Sequence, residues 1–211
     1  MSKADTVLKI IGETKVISII RGIEGNDAET LIKALQDGGI NTLEITMNTP
    51  SALSIIEKAS SIGGLTVGAG TVLTQEMAKQ SIEAGAQFVL SPSLDLKVIE
   101  YCLKHQVLPV PGVLTPTELY TAFSHGAELL KIFPAGSLGP QYIKDLLGPF
   151  KGMKLLPVGG VSVENTSAFM RSGAYAVGVG SFLANPELAK AGDWKTITER
   201  AKQFIKEAHN V

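Results

Sequence analysis

The chain has 211 residues, and its 19 lysines and arginines nearly balance its 20 aspartates and glutamates. This balance gives no field to recruit nucleic acid or an anionic membrane surface, so we expect neither as a partner. The single cysteine, Cys102, excludes an internal disulfide framework and any metal site built from several cysteines. The N-terminus has no long apolar segment, and no run approaches the length of a membrane span. These features predict a soluble, cytoplasmic protein.

Short β-branched runs alternate with amphipathic helical patterns along the chain. Spacing between the runs averages about 23 residues, the size of a strand, a helix and two short loops. The candidate strands begin near Val16, Thr42, Leu65, Phe88, Val107, Leu129, Leu155 and Ala176. Eight such units predict one domain over residues 1–211, a compact (β/α)8 TIM barrel.

An open, doubly wound sheet is the structural alternative to the barrel. Such a sheet usually has fewer strands and a glycine-rich dinucleotide turn after the first one. The first candidate strand here ends Ile20-Arg21-Gly22-Ile23 and has no such turn, which favours the barrel. An additional helix, Ala4 to Gly12, precedes that strand, and we expect it to cover the barrel floor.

Lys131 lies in the apolar run Leu129–Phe133, which is predicted to be an inner strand. An unpaired ammonium costs several kcal/mol to bury, so lysine rarely occupies such a position. Burial also disfavours the charged form, which frees the amine lone pair to attack a carbonyl. Lys131 is therefore a candidate nucleophile. The alternative is a structural lysine at a strand end whose side chain reaches solvent.

Glu44 is predicted to face the barrel interior together with Lys131. Strand alternation places Leu43 and Ile45 on one face and Glu44 and Thr46 on the other. The apolar pair would face the helices. A carboxylate inside the barrel could exchange protons with a substrate, directly or through one water. The alternative is a buried ion pair that only neutralises Lys131.

Further polar groups and glycines follow the predicted strands, at the rim where such barrels keep their sites. Arg21 offers a planar fork suited to a carboxylate or a phosphate, although a rim salt bridge would also explain it. Glycines follow the seventh and eighth strands, where loops often bind phosphate through backbone N–H groups. Ordinary tight turns are the alternative. The residues concerned are Gly159, Gly160, Gly180 and Ser181.

Motifs for metals and nucleotides are missing from the sequence, which contains no HExxH, EF-hand or Walker pattern. The three histidines fall in helical or loop segments and not at the carboxyl end of a strand. We therefore predict no metal site.

Five segments carry a resemblance to a known family: Gly68-Ala69-Gly70-Thr71-Val72, Leu43-Glu44-Ile45-Thr46, Pro111-Gly112, Lys131-Ile132-Phe133-Pro134-Ala135 and Val158-Gly159-Gly160-Val161. In these segments, and in register over nearly the whole chain, the sequence resembles the 2-keto-3-deoxy-6-phosphogluconate (KDPG) / 4-hydroxy-2-oxoglutarate (KHG) aldolases. The lysine segment is the most specific. The resemblance implies a metal-independent class I aldolase barrel that needs no cofactor and forms homotrimers.

The resemblance also implies a role for each candidate residue. Lys131 would form an imine with pyruvate or its aldol adduct, and Glu44 would shuttle protons at the C4 hydroxyl and at the carbinolamine. Thr71 would hold the keto-acid carboxylate, and Phe133 would wall the pyruvyl pocket. The glycine turns and Ser181 match the family's phosphate site. Pro92, after the fourth strand, is placed with the substrate-binding residues.

One segment departs from the family pattern. The phosphogluconate enzymes commonly carry Leu-Arg-Thr after the glutamate strand, where the arginine helps to hold substrate anions. This chain has Met47-Asn48-Thr49-Pro50, so Asn48 takes the arginine's place and Arg21 is the candidate to supply the cation. The segment also looks like that of the sister 2-keto-3-deoxy-6-phosphogalactonate aldolases, which differ in stereochemistry at C4.

The sequence thus predicts a class I aldolase that cleaves KDPG to pyruvate and glyceraldehyde 3-phosphate, and KHG to pyruvate and glyoxylate. The phosphogalactonate aldolase is the alternative within the same chemistry. A phosphate-binding isomerase or synthase is a second enzyme class, but it leaves Lys131 unexplained. A non-catalytic sugar-phosphate binding barrel is the third alternative.

Overall fold

The computed structural model describes residues 2–23 and 25–210, with the side chain of residue 26 left out. Helices and strands alternate along this part of the chain. In order they are α1 (Lys3–Thr14), β1 (Val16–Ile20), α2 (Gly25–Asp37), β2 (Thr42–Thr46), α3 (Ala52–Ser60), β3 (Thr66–Gly70), α4 (Gln75–Glu83), β4 (Phe88–Leu90), α5 (Leu96–Lys104), β5 (Leu108–Val110), β6 (Gly112–Val113), α6 (Pro116–Ser124), β7 (Leu129–Ile132), α7 (Gly139–Leu147), β8 (Lys154–Pro157), α8 (Val163–Arg171), β9 (Val177–Val179), α9 (Pro186–Lys190) and α10 (Trp194–His209).

The strands form the predicted barrel. Parallel pairing joins β5-β4-β3-β2-β1-β9 and, separately, β6-β7-β8. On one side β5 and β6 are two halves of one barrel strand that is interrupted at Pro111. On the other side a parallel bridge between Val158 and Gly178 links the ends of β8 and β9. Every predicted strand start lies within one residue of an observed one, and the open-sheet alternative is wrong.

Two apolar layers pack on the two faces of the barrel wall. In β1, Val16 and Ile20 belong to the outer layer against the helices, whereas Ile17 and Ile19 belong to the inner layer. This alternation follows from the two-residue period of a strand. The inner layer fills the barrel interior with residues such as Phe88.

Helix α1 covers the floor of the barrel, as predicted. Its Val7, Leu8 and Ile11 are buried against the inner layer. The Tyr175 hydroxyl donates a hydrogen bond to the Leu8 carbonyl at 3.0 Å, which ties the start of β9 to the helix. With the floor covered, we expect a ligand to enter from the carboxyl ends of the strands, where such barrels keep their sites.

Two further observations bear on the sequence predictions. Within the described residues, no helix is long and apolar enough to cross a membrane.

Cys102 is buried in the outer layer, and burial raises the pKa of its thiol to about 12. The thiol therefore packs as a small apolar group.

Ser18→Ala is expected to stabilise the protein. The Ser18 hydroxyl is fully buried in β1 and has no hydrogen-bond partner among the described residues. Removing an unpaired buried hydroxyl relieves its desolvation penalty, so the free energy of unfolding should rise by about 1 kcal/mol. Urea unfolding measures this change.

Thr46→Val is the matched control. The Thr46 hydroxyl is also fully buried but donates to the Ile20 carbonyl at 3.3 Å and contacts the Thr49 hydroxyl at 3.0 Å. Its loss should lower the free energy of unfolding by about 1 kcal/mol. Destabilisation of Ser18→Ala to the same extent would show that the Ser18 hydroxyl has a partner after all.

Candidate active site

Glu44 and Lys131 both lie on the inner face of the barrel wall, the face that carries the inner apolar layer. In β2, Leu43 and Ile45 pack in the outer layer, which leaves Glu44 on the inner face. In β7, Leu129 belongs to the inner layer, so Lys131 follows it on the same face. The exposed fraction is 1% for Glu44 and 4% for Lys131. The predicted inward placement of both groups is confirmed.

The carboxyl of Glu44 is buried without a hydrogen bond. Neither of its oxygens has a hydrogen-bond partner among the described residues. Burial raises its pKa above the ordinary 4.5, and the positive charges of Lys131 and Arg21 oppose this shift without cancelling it. A raised pKa brings a carboxyl closer to the pH range in which a group can both accept and donate a proton.

Burial shifts the pKa of the Lys131 amine in the opposite direction to that of Glu44. It lowers the pKa below the ordinary 10.5, Arg21 acts in the same sense, and Glu44 opposes it. Among the described residues, no carboxylate oxygen lies within 4.0 Å of the Lys131 Nζ. The amine instead lies 5.1 Å from the centroid of the Phe133 ring. Lys131 and Glu44 thus interact through their fields and do not form the close ion pair that a purely neutralising role would require.

Arg21 crosses the mouth of the barrel from β1. It follows the last residue of the strand, and its Nη2 donates a hydrogen bond to the Thr71 hydroxyl at 3.3 Å. Thr71 follows β3 and has a left-handed backbone, with φ of 56°. In the described chain, Arg21 has no salt bridge to a carboxylate. Its charge is therefore available to an anionic ligand.

A pair of threonines supports the backbone beneath Arg21. The Gly22 N–H donates to the Thr49 hydroxyl at 3.1 Å, and that hydroxyl lies 3.0 Å from the hydroxyl of Thr46. These contacts tie the turn after β1 to the end of β2. This role of Thr49 was not predicted, because the contact joins residues that are 27 positions apart in the sequence.

A cavity of about 380 Å³ opens at the carboxyl ends of β1, β7, β8 and β9. Six predicted site residues line it, together with residues that sequence reasoning missed, notably Ile19, Val161 and Phe182. The six are Arg21, Phe133, Gly159, Gly160, Gly180 and Ser181. Its volume is that of a typical small-molecule site.

The turn after β8 requires glycine. Gly159 and Gly160 have positive φ values of 86° and 76°, and a Cβ on Gly160 would lie 2.9 Å from the Gly136 Cα. Both carbonyl groups of the turn are already bonded. Gly159 accepts from the Gly136 N–H at 2.7 Å, and Gly160 accepts from the Asn165 amide at 2.8 Å. The backbone of Gly159 and Gly160 thus packs closely on Gly136 and also lines the cavity.

Comparison with known proteins identifies the family. Residues 7–200 match the family model for KDPG and KHG aldolase. The chain belongs to this aldolase family. It is 32% identical to the 2-dehydro-3-deoxy-phosphogluconate aldolase of Treponema pallidum, over 95% of this chain and 96% of the relative. It is 34% identical to the 2-dehydro-3-deoxy-6-phosphogalactonate aldolase of Escherichia coli K12, over 90% of this chain and 93% of the relative.

Solved structures agree with this assignment. A KDPG aldolase from Legionella pneumophila, in which pyruvate was captured as a covalent carbinolamine intermediate, superimposes with a TM-score of 0.87 at 31% identity. The match covers 93% of this chain and 96% of that one. The predicted class of enzyme, a pyruvate-forming class I aldolase, is confirmed. Phosphogluconate and phosphogalactonate relatives are about equally similar, so overall similarity does not separate the two substrates.

Five predicted site residues do not line the cavity: the buried Glu44 and Lys131, and three predicted binding residues. Of these three, Thr71 is hydrogen-bonded to the lining residue Arg21. Asn48 is exposed in the turn after β2. Pro92 follows β4, and its backbone packs closely on Gly112. A Cβ on Gly112 would overlap the backbone of Pro92. Their roles in binding stay predictions.

Glu44→Gln is expected to change how the stability of the aldolase depends on pH. The folded-state pKa of Glu44 lies above 4.5, so above that pH the folded protein holds a proton that the unfolded chain has released. The wild type should therefore lose stability as pH rises from 4.5 through the folded-state pKa, and each pKa unit corresponds to about 1.4 kcal/mol. Glu44→Gln should not show this loss of stability, because glutamine does not titrate.

Urea unfolding of both proteins from about pH 4.5 to about pH 8 measures the difference. Glu57→Gln, at an exposed position on α3, controls for the change in net charge. A wild type that gains stability over Glu44→Gln with rising pH would contradict the raised pKa.

Proposed function

We propose that this aldolase cleaves KDPG to pyruvate and glyceraldehyde 3-phosphate through an imine on Lys131. The observation that carries the proposal is the state of that amine, which is buried at the carboxyl end of β7 without a close carboxylate among the described residues. Because burial lowers its pKa, a larger fraction is neutral and nucleophilic.

In the proposed reaction the Lys131 nitrogen attacks the C2 keto carbon to give a carbinolamine. Loss of water leaves a protonated imine. When the C3–C4 bond breaks, its electron pair passes to the imine and forms an enamine, while the C4 hydroxyl loses its proton and becomes the aldehyde. The enamine is then protonated at C3, and water releases pyruvate and the free amine.

We assign the proton transfers to Glu44. Its carboxyl shares the barrel interior with Lys131, and its raised pKa suits a group that accepts the C4 hydroxyl proton and later returns one. Such catalysis contributes about 10²–10⁴-fold to a rate.

We assign the two anionic ends of the substrate to two different groups of residues. Arg21 and Thr71, which are hydrogen-bonded to each other, would hold the keto-acid carboxylate, and Phe133 would wall the pyruvyl group. The phosphate would lie in the cavity against Gly160 and Ser181 and their neighbouring glycines. Backbone N–H groups can bind a phosphate without a lysine or arginine beside it.

KHG and the phosphogalactonate epimer are the further candidate substrates. KHG carries no phosphate and would use only the Lys131 end of the site. The phosphogalactonate is favoured by one observation, the asparagine at position 48 in place of an arginine. Either substrate yields pyruvate by the same chemistry.

Borohydride reduction in the presence of pyruvate should leave a reduced pyruvyl adduct on Lys131. Peptide mass mapping locates the adduct. Lys131→Ala should lose both the adduct and essentially all turnover, because Lys131 is the only buried lysine among the described residues. Lys154→Ala, on the neighbouring strand β8, removes a half-buried lysine that is paired with Glu128 and should keep both. A folded wild type without an adduct would contradict the proposed imine on Lys131.

Asn48→Arg should shift the preference toward KDPG over the phosphogalactonate epimer, by about tenfold in the ratio of kcat/KM, if position 48 reads the substrate. A new guanidinium there would add a contact to a substrate anion. Asn41→Arg, before the opposite end of β2, is the control for added charge. An unchanged ratio would rule out position 48 as a discriminator.

We further propose a cytoplasmic homotrimer, as the family resemblance implies. Phosphorylated sugar acids are charged and do not cross a membrane freely, so their enzyme should lie where they are made. Light scattering should give three times the 22.3 kDa chain mass, and a monomer mass at working concentration would exclude the trimer.

A further inference from the structure

Strand β3 carries two glycines on the inner face of the barrel, Gly68 and Gly70. Each lies beside a large inward side chain of a neighbouring strand. A Cβ on Gly68 would overlap the Phe88 ring, with its Cγ at 2.6 Å. A Cβ on Gly70 would overlap the Oε1 and Cδ of Glu44, with the Cγ at 2.6 Å. The first glycine makes room for the apolar core, and the second makes room for a carboxyl group.

The carboxyl of Glu44 therefore occupies the volume that any other residue at position 70 would fill. Hydrogen bonds do not hold it there, since both oxygens lack a partner among the described residues. It lies instead in the space beside the bare backbone of Gly70. At this position it remains more than 4.0 Å from the Lys131 amine.

We propose that Gly70 is a positioning residue, whose missing side chain seats the Glu44 carboxyl against β3 and away from a salt bridge with Lys131. The inference rests on the proposed role of Glu44 as the proton shuttle. A carboxylate that left this seat would stay in the field of two cations, Lys131 and Arg21. A direct pair with either would hold the carboxylate ionised, and a pair with Lys131 would also hold the amine protonated.

Gly70→Ala tests the proposal. The atoms that must move are the far end of the Glu44 side chain and not backbone, so the variant should fold. Its kcat for cleavage should fall by about 10²-fold, within the range for loss of a general base. A pyruvate adduct should still be trapped on Lys131, but the pH at which trapping is half-maximal should rise, because a salt bridge stabilises the ammonium.

The shorter acid in Glu44→Asp supplies the rescue. An aspartate reaches less far and leaves room for a Cβ at position 70. Relative to Glu44→Asp alone, the double variant Gly70→Ala/Glu44→Asp should lose less than about threefold in kcat, which is far from additive. An equal loss in both backgrounds would overturn the proposal.

Gly68→Ala is the matched control, one glycine earlier on the same face. Its Cβ meets the rigid ring of Phe88, so it should lower stability. Its effect on kcat should be the same in the wild-type and Glu44→Asp backgrounds, since it does not touch the carboxyl. Rescue of Gly68→Ala by Glu44→Asp would show that the coupling is not specific to Gly70 and would overturn the inference.

A measurement on the ligand-free protein separates this inference from the proposed function. Carbon-13 NMR of labelled glutamate, with Glu44→Gln to assign the signal, follows the titration of the Glu44 carboxyl without any substrate. Gly70→Ala should lower its midpoint, because the displaced carboxylate gains a cation. An unchanged midpoint overturns the inference even if the wild type cleaves KDPG, and a lowered midpoint supports the seat even if pyruvate is never trapped.

A folding failure of Gly70→Ala would still be informative. If the single variant does not fold but Gly70→Ala/Glu44→Asp does, then the Glu44 carboxyl is what conflicts with the new methyl group, as proposed. If neither folds, then the conflict lies elsewhere and the inference is wrong.

Discussion

The site depends on one electrostatic constraint, the burial of a carboxyl and an amine of opposite charge in the same barrel without direct contact. Burial disfavours the charged form of each group, so the pKa of Glu44 rises while that of Lys131 falls. A close pair would restore both charges and leave neither group reactive. Separation would leave the amine able to attack a carbonyl and the carboxyl able to exchange a proton, as the proposed reaction requires.

The barrel supplies this constraint through its packing. Apolar side chains fill its interior, and α1 packs over the floor, at the end of the barrel opposite the carboxyl ends of the strands. Small residues lie next to large ones on the inner wall, as Gly68 does beside Phe88. Gly70 beside Glu44 is packed in the same way, but the large neighbour there is an ionisable side chain. Arg21 and the turn of Gly159 and Gly160, to which we assign the two anionic ends of the proposed substrate, line the same cavity at the carboxyl ends of the strands.

Much of this arrangement was predictable from local pattern. Strand starts were found to within one residue because β-branched runs and the spacing of the βα unit repeat along the chain. The inward direction of Glu44 followed from the alternation of a strand, which needs no knowledge of its neighbours. The link between Gly22 and Thr49, and the place of Phe182 in the cavity, were missed because no local pattern signals a contact between loops of different units.

The sequence by itself determined the eight-unit barrel and the inward direction of Glu44 and Lys131, because both follow from repeated local patterns. It also determined the family, because five short segments of the chain carry the family's sequence motifs. Only the tertiary structure decided how those residues meet. It separated Lys131 from Glu44, left the carboxyl without a hydrogen bond among the described residues, turned Arg21 toward Thr71 and set Asn48 outside the cavity. Such distances depend on how the barrel closes and how neighbouring side chains share space, which no single segment of the chain specifies.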